Sequence, residues 1–315
     1  MILIISHTGD AHAVAVGQAL QARGWTPVLL DLSRFPDPMS LELRYGGARS
    51  GEVLMRDSSW GDVDLAECRA TWWRRPQPFR PPADVADPVL RAFAMNEARE
   101  MFGGLWSLIG GAWINDPQRD DLAHRKSWQL RAAAAAGLTT PETLITNSPR
   151  AARAFIAGRA PGRTVFKAFS GTPSAWRETR LVGPAEIERL DLVQVAPVIF
   201  QEYVAGVDIR VTVIGDRLFS AEIDIGDGDY PVDFRMNYDH IRIRETSLPA
   251  EIEAGVRALM RNLGLVYGAI DFRRTPEGRH IFLEINPAGQ WMFIEAQTRQ
   301  PLTEAMADEL IALHG

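Results

Sequence analysis

Two acids near the C-terminus and two solitary lysines are the residues of this sequence whose types and spacing suit chemistry. Asp271 and Glu284 flank the turn sequence Thr275-Pro276-Glu277-Gly278, with apolar runs on either side. With that turn as a hairpin loop, Arg274 is expected to pair with Arg279 and Asp271 with Phe282. Side chains two apart along a strand share a face. Asp271, Phe282, Glu284 and Asn286 are then expected together, with the two acids as diagonal neighbours about 7–8 Å apart at Cα. Carboxylates so placed can converge on a cation. Glu284 lies in the otherwise apolar run Ile281-Phe282-Leu283-Glu284-Ile285-Asn286-Pro287, where an acid must be paired or coordinate a cation. Oxygen donors without histidine or cysteine favour magnesium, which usually arrives with phosphate. The competing reading is a glutamate and an asparagine making ordinary strand-end hydrogen bonds, and it leaves the acid unexplained.

The lysines point the same way. Lys126 and Lys167 are the chain's two lysines, against thirty-two arginines. Lysine is a compact point charge, arginine a planar fork. A site that places one positive point against a phosphate oxygen can reject the fork. Lys126 opens a helical run, and Lys167 lies in the strand-like stretch Thr164-Val165-Phe166-Lys167-Ala168-Phe169.

The elements that must position these groups follow from length and pattern. A chain of 315 residues implies two domains or three lobes. Its net charge of −6 gives no reason to expect nucleic acid as a partner. A single cysteine, Cys68, excludes an intrachain disulfide and a zinc cluster, and the histidines show no metal spacing. The apolar stretch Ile2–Ile5 is too short for a signal peptide or a membrane span, so a soluble, cytoplasmic protein is expected. Residues 1–32 read as strand, helix, strand. Their turn, Ser6-His7-Thr8-Gly9-Asp10, is not a dinucleotide fingerprint, which argues against a Rossmann oxidoreductase. Short strands are expected over 41–65, a strand end over 70–75 and a long helix over 88–110. A helix over 122–136 stops at Gly137. Strands and helices alternate over 138–205, followed by antiparallel strands at 207–214, 217–224 and 241–244. A helix over 250–263, the strand pair 266–273 and 280–286, and a closing helix over 301–313 complete the pattern.

Taken in order, Asn115-Asp116-Pro117, Lys126, Lys167, Gln201-Glu202-Tyr203-Val204, Asp208-Ile209-Arg210, Asp271 and Glu284-Ile285-Asn286 resemble the ATP-grasp superfamily. Within it the chain resembles the ribosomal-peptide maturases of the microviridin and graspetide type. Trp72-Trp73-Arg74-Arg75-Pro76, the segment from Gly137 to Asn147, and the segment from Glu284 to Trp291 carry that narrower likeness. It covers essentially the whole chain. The resemblance implies an α/β chain with α+β lobes: an N-terminal pre-ATP-grasp domain over 1–115, a central lobe over 116–205 and a C-terminal lobe with a magnesium site over 206–315. It implies ATP and magnesium as cofactors. Lys126 and Lys167 would bind the nucleotide phosphates. Glu202, Tyr203 and Val204 would form the adenine hinge, and Asp208 would hold the ribose. Arg210, Arg235 and Asn237 would face the phosphates or an acyl phosphate, with Arg210, Arg235 and Lys167 as the catalytic set. Asp271, Glu284 and Asn286 would hold magnesium. The implied reaction activates Asp or Glu carboxylates of a ribosomally made precursor peptide and closes ω-ester or ω-amide rings. A ligase of free amino acids and a non-catalytic ATP-binding regulator are the alternatives. The expected partner is the precursor, leader and core together, without a membrane, and a homodimer is an option. The segment Phe169-Ser170-Gly171-Thr172-Pro173 departs from the pattern, being poorer in glycine than many ATP-grasp phosphate loops.

Three further features carry two readings each. Arg74 and Arg75 either bind a substrate carboxylate or are surface arginines at a strand end. The acids Glu222, Asp224, Asp227, Asp229 and Asp233 are a solvated edge or a docking surface for a basic peptide segment. Trp72, Trp73, Trp106, Trp113 and Trp128 are expected in the core or at an interface rather than in a stacking platform.

Overall fold

Four sheets organise the chain in a computed structural model that describes residues 1–48, 51–169, 179–225 and 241–315. The N-terminal apolar run forms β1 (Ile2–Ile5), buried along its whole length. A strand buried on both faces suits the interior of a parallel sheet. It lies between β2 (Val28–Leu30) and β6 (Ala70–Trp73), with β7 (Ala112–Ile114) completing the order β2-β1-β6-β7. Helix α1 (Ala11–Ala22) starts at Asp10, whose carboxylate accepts from the His12 amide at 3.1 Å. Residues 40–64 form a meander of β3 (Ser40–Leu43), β4 (Val53–Asp57) and β5 (Gly61–Asp64). Helix α2 (Pro88–Trp106) begins with proline at its first position.

The single helix expected over 122–136 is two: α3 (Pro117–Ala123) and α4 (Lys126–Ala135). The chain turns extended at Arg125, a break that apolar periodicity does not register. A second sheet takes the order β10-β9-β11-β8, from β8 (Thr143–Thr146), β9 (Thr164–Lys167), β10 (Arg180–Leu181) and β11 (Val198–Glu202). Helices α5 (Pro149–Ala157) and α6 (Pro184–Glu188) accompany it.

The third sheet carries the acids. Its order is β14-β13-β12-β15-β16, built from β12 (Val207–Ile214), β13 (Arg217–Asp224), β14 (Arg242–Glu245), β15 (Tyr267–Arg274) and β16 (His280–Asn286). One face, with Ile209, Val211, Ile270, Phe272, Phe282 and Ile285, packs against α4 and α7 (Ala250–Leu263). The other face meets α8 (Met292–Thr298), which the sequence reading did not anticipate, and α9 (Leu302–His314). Helix α9 also covers the N-terminal sheet, so Ile2, Ile4, Trp72, Ile214, Tyr267 and Leu310 share one core. The first and third sheets are thus braced against each other.

The β15–β16 hairpin differs from its expected register in two ways. Arg274 pairs with His280 rather than Arg279, because the turn closes with the Thr275 amide on the Arg279 carbonyl and Gly278 at φ +84°. Phe272 then pairs with Phe282, but a bulge follows and Asp271 pairs with Glu284. Leu283 is the extra residue. A bulge re-aims the side chains beyond it, so Asp271, Glu284 and Asn286 do share a face. Phe282 does not join them. It lies on the opposite face against Phe272, ring centroids 5.9 Å apart.

Candidate active site

Arg210 and the two acids sit in a row across three strands. Arg210 on β12 is the cross-strand partner of Asp271 on β15, and Asp271 is the partner of Glu284 on β16. The two acids are direct rather than diagonal neighbours, and so closer than the sequence implied. Arg210 Nε donates to Asp271 Oδ1 at 2.6 Å and Nη2 to Oδ2 at 3.3 Å. At the far end Lys126, on the first turn of α4, donates from Nζ to Glu284 Oε2 at 2.7 Å. The row reads cation, anion, anion, cation. Burial alone would lower the Arg210 pKa, but the charge and hydrogen bonds of Asp271 outweigh it and hold the guanidinium above its ordinary value. The carboxylates remain accessible, with side-chain exposures of 19% for Asp271 and 26% for Glu284. Asn286 is exposed two residues beyond Glu284, its Oδ1 accepting from the Ala288 amide at 2.9 Å.

Among the described residues no three His, Cys, Asp or Glu side chains gather as a metal cluster. The expected set is two carboxylates and an amide, all oxygen donors on one face. That composition suits a hard cation such as magnesium, which uses few protein ligands and keeps waters.

The other expected ligands spread over two sheets. Lys167 ends β9, half-buried, with Ile199 as its cross-strand partner. Glu202, Tyr203 and Val204 connect the second sheet to the third. The Glu202 and Tyr203 amides already donate to Glu142 O and Arg163 O, both at 2.9 Å. Any reading of adenine at this hinge falls to its other backbone groups. Asp208 is buried and ion-paired with Arg273 at 2.9 Å. Arg235 and Asn237 lie outside the described residues.

Arg74 is no surface arginine. It is 1% exposed, and its Nε donates to Asp10 Oδ2 at 3.1 Å. Its Nη1 donates to Ala288 O and Gly289 O at 2.8 and 2.7 Å. The guanidinium lies 5.7 Å from the Trp72 ring centroid and 5.3 Å from that of Trp291. Arg75 is half-buried, its Nη2 reaching Ala288 O at 3.3 Å. Burial lowers its pKa, with the neighbouring Arg74 charge adding to the shift. Glu222 is also not a solvated acid. It is buried and paired with both Arg244 and Arg274, whose hydrogen bonds outweigh its burial and lower its pKa. Asp224 is exposed, while Asp227, Asp229 and Asp233 lie outside the described residues. Trp72 is core, stacked on Trp291 at 5.8 Å, and Trp73, Trp106 and Trp113 cluster beneath the N-terminal sheet. Cys68 is buried, and desolvation raises its thiol to about 12.

Asp10, His12, Asn115 and Tyr267 were not among the expected site residues, yet His12, Asn115 and Tyr267 bind the backbone that follows Asn286, and Asp10 holds His12 and Arg74. Only Asn115 carried a sequence signal, as part of Asn115-Asp116-Pro117.

Acids on one antiparallel sheet, a lysine on a second sheet and a linker between them are the arrangement of an ATP-grasp ligase. Residues 1–121 match the family described as the MvdD pre-ATP grasp domain. The macrocyclase MdnC of Microcystis aeruginosa MRC, solved with its precursor peptide MdnA, is 28% identical at TM-score 0.88, over 99% of each chain. The macrocyclase MdnB from the same organism is 26% identical at TM-score 0.83, over 98% of each chain. The ATP-grasp ligase PsnB, solved with a minimal precursor, Mg and ADP, is 27% identical at TM-score 0.82, over 100% of this chain and 97% of that one. No curated protein sequence matches significantly. The N-terminal region thus matches that family model, and the whole chain shares the fold of these ATP-grasp macrocyclases and ligases.

Proposed function

We propose that this enzyme uses magnesium-ATP to activate side-chain carboxylates of a ribosomally made precursor peptide and closes them into macrocycles. The observation that carries the reading is the row Arg210, Asp271, Glu284, Lys126. Asp271, Glu284 and Asn286 would hold magnesium, which supplies charge neutralisation on the phosphates. Lys126 and Lys167 would each set a point charge against phosphate oxygens. Glu202, Tyr203 and Val204 would border adenine, and Asp208 the ribose. Arg210 would face the transferring group with Lys167, and Arg235 and Asn237 would join them.

The chemistry asks little covalent work of the protein. A precursor carboxylate oxygen attacks the γ-phosphorus, the bond to the β-phosphate oxygen breaks, and ADP leaves. Positioning and preorganised positive charge lower that barrier. A precursor hydroxyl then attacks the acyl carbon and expels phosphate, its proton going to the departing phosphate or solvent. The nucleophile belongs to the substrate, and we favour serine or threonine, giving esters, over lysine, giving amides.

The N-terminal domain over 1–115, central lobe over 116–205 and C-terminal lobe over 206–315 are part of this proposal. Helices α3 and α4 share their core with the C-terminal sheet, which places Lys126 beside Glu284. Among the described residues no helix is long and apolar enough to cross a membrane, and the proposed setting is the cytoplasm, where ATP and a new precursor meet. A homodimer also belongs to the proposal, testable by sedimentation.

The deciding experiment incubates the enzyme with ATP, magnesium and the cognate precursor. The product should lose the mass of one water per ring, and the rings should reopen in mild base. Mutating precursor Ser or Thr should abolish them. Rings that resist base and require a precursor lysine would refute the ester assignment, and a product gaining free glutamate would refute cyclisation.

A further inference from the structure

Six side chains close on the backbone of one short connection, Pro287 to Met292, which leads from β16 to α8. Asn115 Nδ2 donates to Pro287 O at 3.2 Å. Arg74 Nη1 donates to Ala288 O and Gly289 O, and Arg75 Nη2 also reaches Ala288 O. The Tyr267 hydroxyl donates to Gly289 O at 2.9 Å. Arg210 Nη1 donates to Gln290 O at 3.3 Å. His12 Nε2 accepts from the Trp291 and Met292 amides at 3.0 and 3.3 Å. Connections ordinarily run over the surface and leave such groups to water. Here four of the six side chains come from the N-terminal domain.

Two of the four, His12 and Arg74, belong to a single buried cluster with Ser6 and Asp10. Two amides donating to His12 Nε2 put the imidazole proton on Nδ1, which faces Asp10 Oδ1 at 3.5 Å. Asp10 also accepts from Ser6 Oγ at 2.9 Å and pairs with Arg74. Ser6, Asp10, His12 and Arg74 are all at most 6% exposed, and Arg74 Nη2 is buried without a hydrogen-bond partner. Buried ion pairs are poor stabilisers, often no better than apolar residues of the same volume. An apolar plug would close the connection at less desolvation cost, but it would not fix the four backbone groups that Arg74 and His12 hold.

The connection bears on the acids at both of its ends. It starts directly after Asn286, whose side chain accepts from its Ala288 amide, and its Gln290 carbonyl holds Arg210, the partner of Asp271. We infer that Asp10, His12 and Arg74 are positioning residues: they fix the 287–292 connection so that Asn286 and Asp271 keep the spacing a divalent cation requires. The N-terminal domain thereby sets metal affinity without touching the metal. The inference rests on the proposed assignment of Asp271, Glu284 and Asn286 as magnesium ligands.

The test titrates magnesium at fixed ADP and follows nucleotide-dependent thermal protection of the wild type, His12→Leu, His12→Gln and Tyr267→Phe. Removing groups that orient ligands typically weakens metal binding about 10–100-fold. His12→Leu should therefore need about tenfold more magnesium for half-maximal protection. In His12→Gln the amide oxygen can stand near the Nε2 position and should recover most of the loss. Tyr267→Phe, which removes one hydroxyl, should shift the half-point the same way but less. A His12→Leu protein with lowered melting temperature but an unmoved magnesium half-point would overturn the inference, as would a glutamine variant no better than leucine. Should His12→Leu not fold, an unmoved half-point in Tyr267→Phe overturns it alone. A wild type whose nucleotide protection ignores magnesium would overturn the metal-site reading and this inference together.

Discussion

Replacing Glu284 with glutamine separates a ligand from a structural acid. The swap is nearly isosteric and deletes one charge. In the protein, Glu284 Oε2 accepts from Lys126 Nζ at 2.7 Å, and the two side chains are 26% and 27% exposed. Ion pairs with that much solvent access contribute about 0–1 kcal/mol. Without nucleotide, Glu284→Gln should therefore unfold within about 1 kcal/mol of the wild type, roughly 2 °C in a chain this long. Ligand protection is a larger quantity. Magnesium nucleotide at about 100 times its Kd stabilises the native state by about 2.7 kcal/mol, and a hundredfold loss of affinity leaves about 0.4 kcal/mol. The expected difference exceeds 2 kcal/mol by this arithmetic, more than the intrinsic effect of the substitution (about 1 kcal/mol at most). The assay is thermal unfolding of both proteins alone, with ADP and chelator, with magnesium, and with magnesium and ADP together. Equal protection of wild type and variant by magnesium-ADP would refute the assignment of Glu284 as a metal ligand, whatever the activity.

Lys167→Arg keeps the charge but replaces a point with a fork, and should cost about 2–4 kcal/mol in the transition state; near wild-type precursor-dependent ADP release would refute it. Gly289→Ala would put a Cβ 2.3 Å from Ala269 Cβ and 3.3 Å from Asn286 O, with no flexible atom to yield. It should destabilise by about 1–3 kcal/mol and raise the magnesium requirement, and an unchanged melting temperature would show that β15 and the connection are not packed this closely. Burial, with the Arg74 charge, keeps the His12 pKa below its ordinary 6.5 despite the opposing Asp10 contacts, so the unfolded chain takes up a proton there that the native one refuses. Stability from His12 is then intact above that pH and falls below it, by at most about 1.4 kcal/mol per unit. The stability advantage of wild type over His12→Gln in urea unfolding should shrink on going from about pH 7.5 to about pH 5.5, and a constant difference would refute a neutral buried His12.

Much of the proposed site rests on sequence signals that are local. An acid inside an apolar strand, two lysines among many arginines and a proline-glycine turn between two runs each report on a few consecutive residues. The element pattern followed from the same kind of signal, as in β12, β13 and α7, where apolar periodicity and glycine stops mark the ends. The bulge at Leu283 was not legible, since periodicity cannot tell a one-residue turn error from a one-residue bulge, and here the two add to a two-residue shift that keeps the acids on the expected face. The break at Arg125 and the helix α8 were hidden for a similar reason, being set by what packs on them.

The sequence by itself determined which side chains could meet a phosphate or a cation, because charge and donor type are properties of single residues. Only the tertiary structure decided which of them meet. Arg210 stands against Asp271 and Lys126 against Glu284 across 61 and 158 residues of chain, and Arg74 turns inward to Asp10 and the Gly289 carbonyl. Those partners are fixed by the register of β12, β15 and β16 and by the packing of the N-terminal sheet on α9. Burial then settles their state, since a charge removed from water must find its counter-charge wherever the fold supplies one.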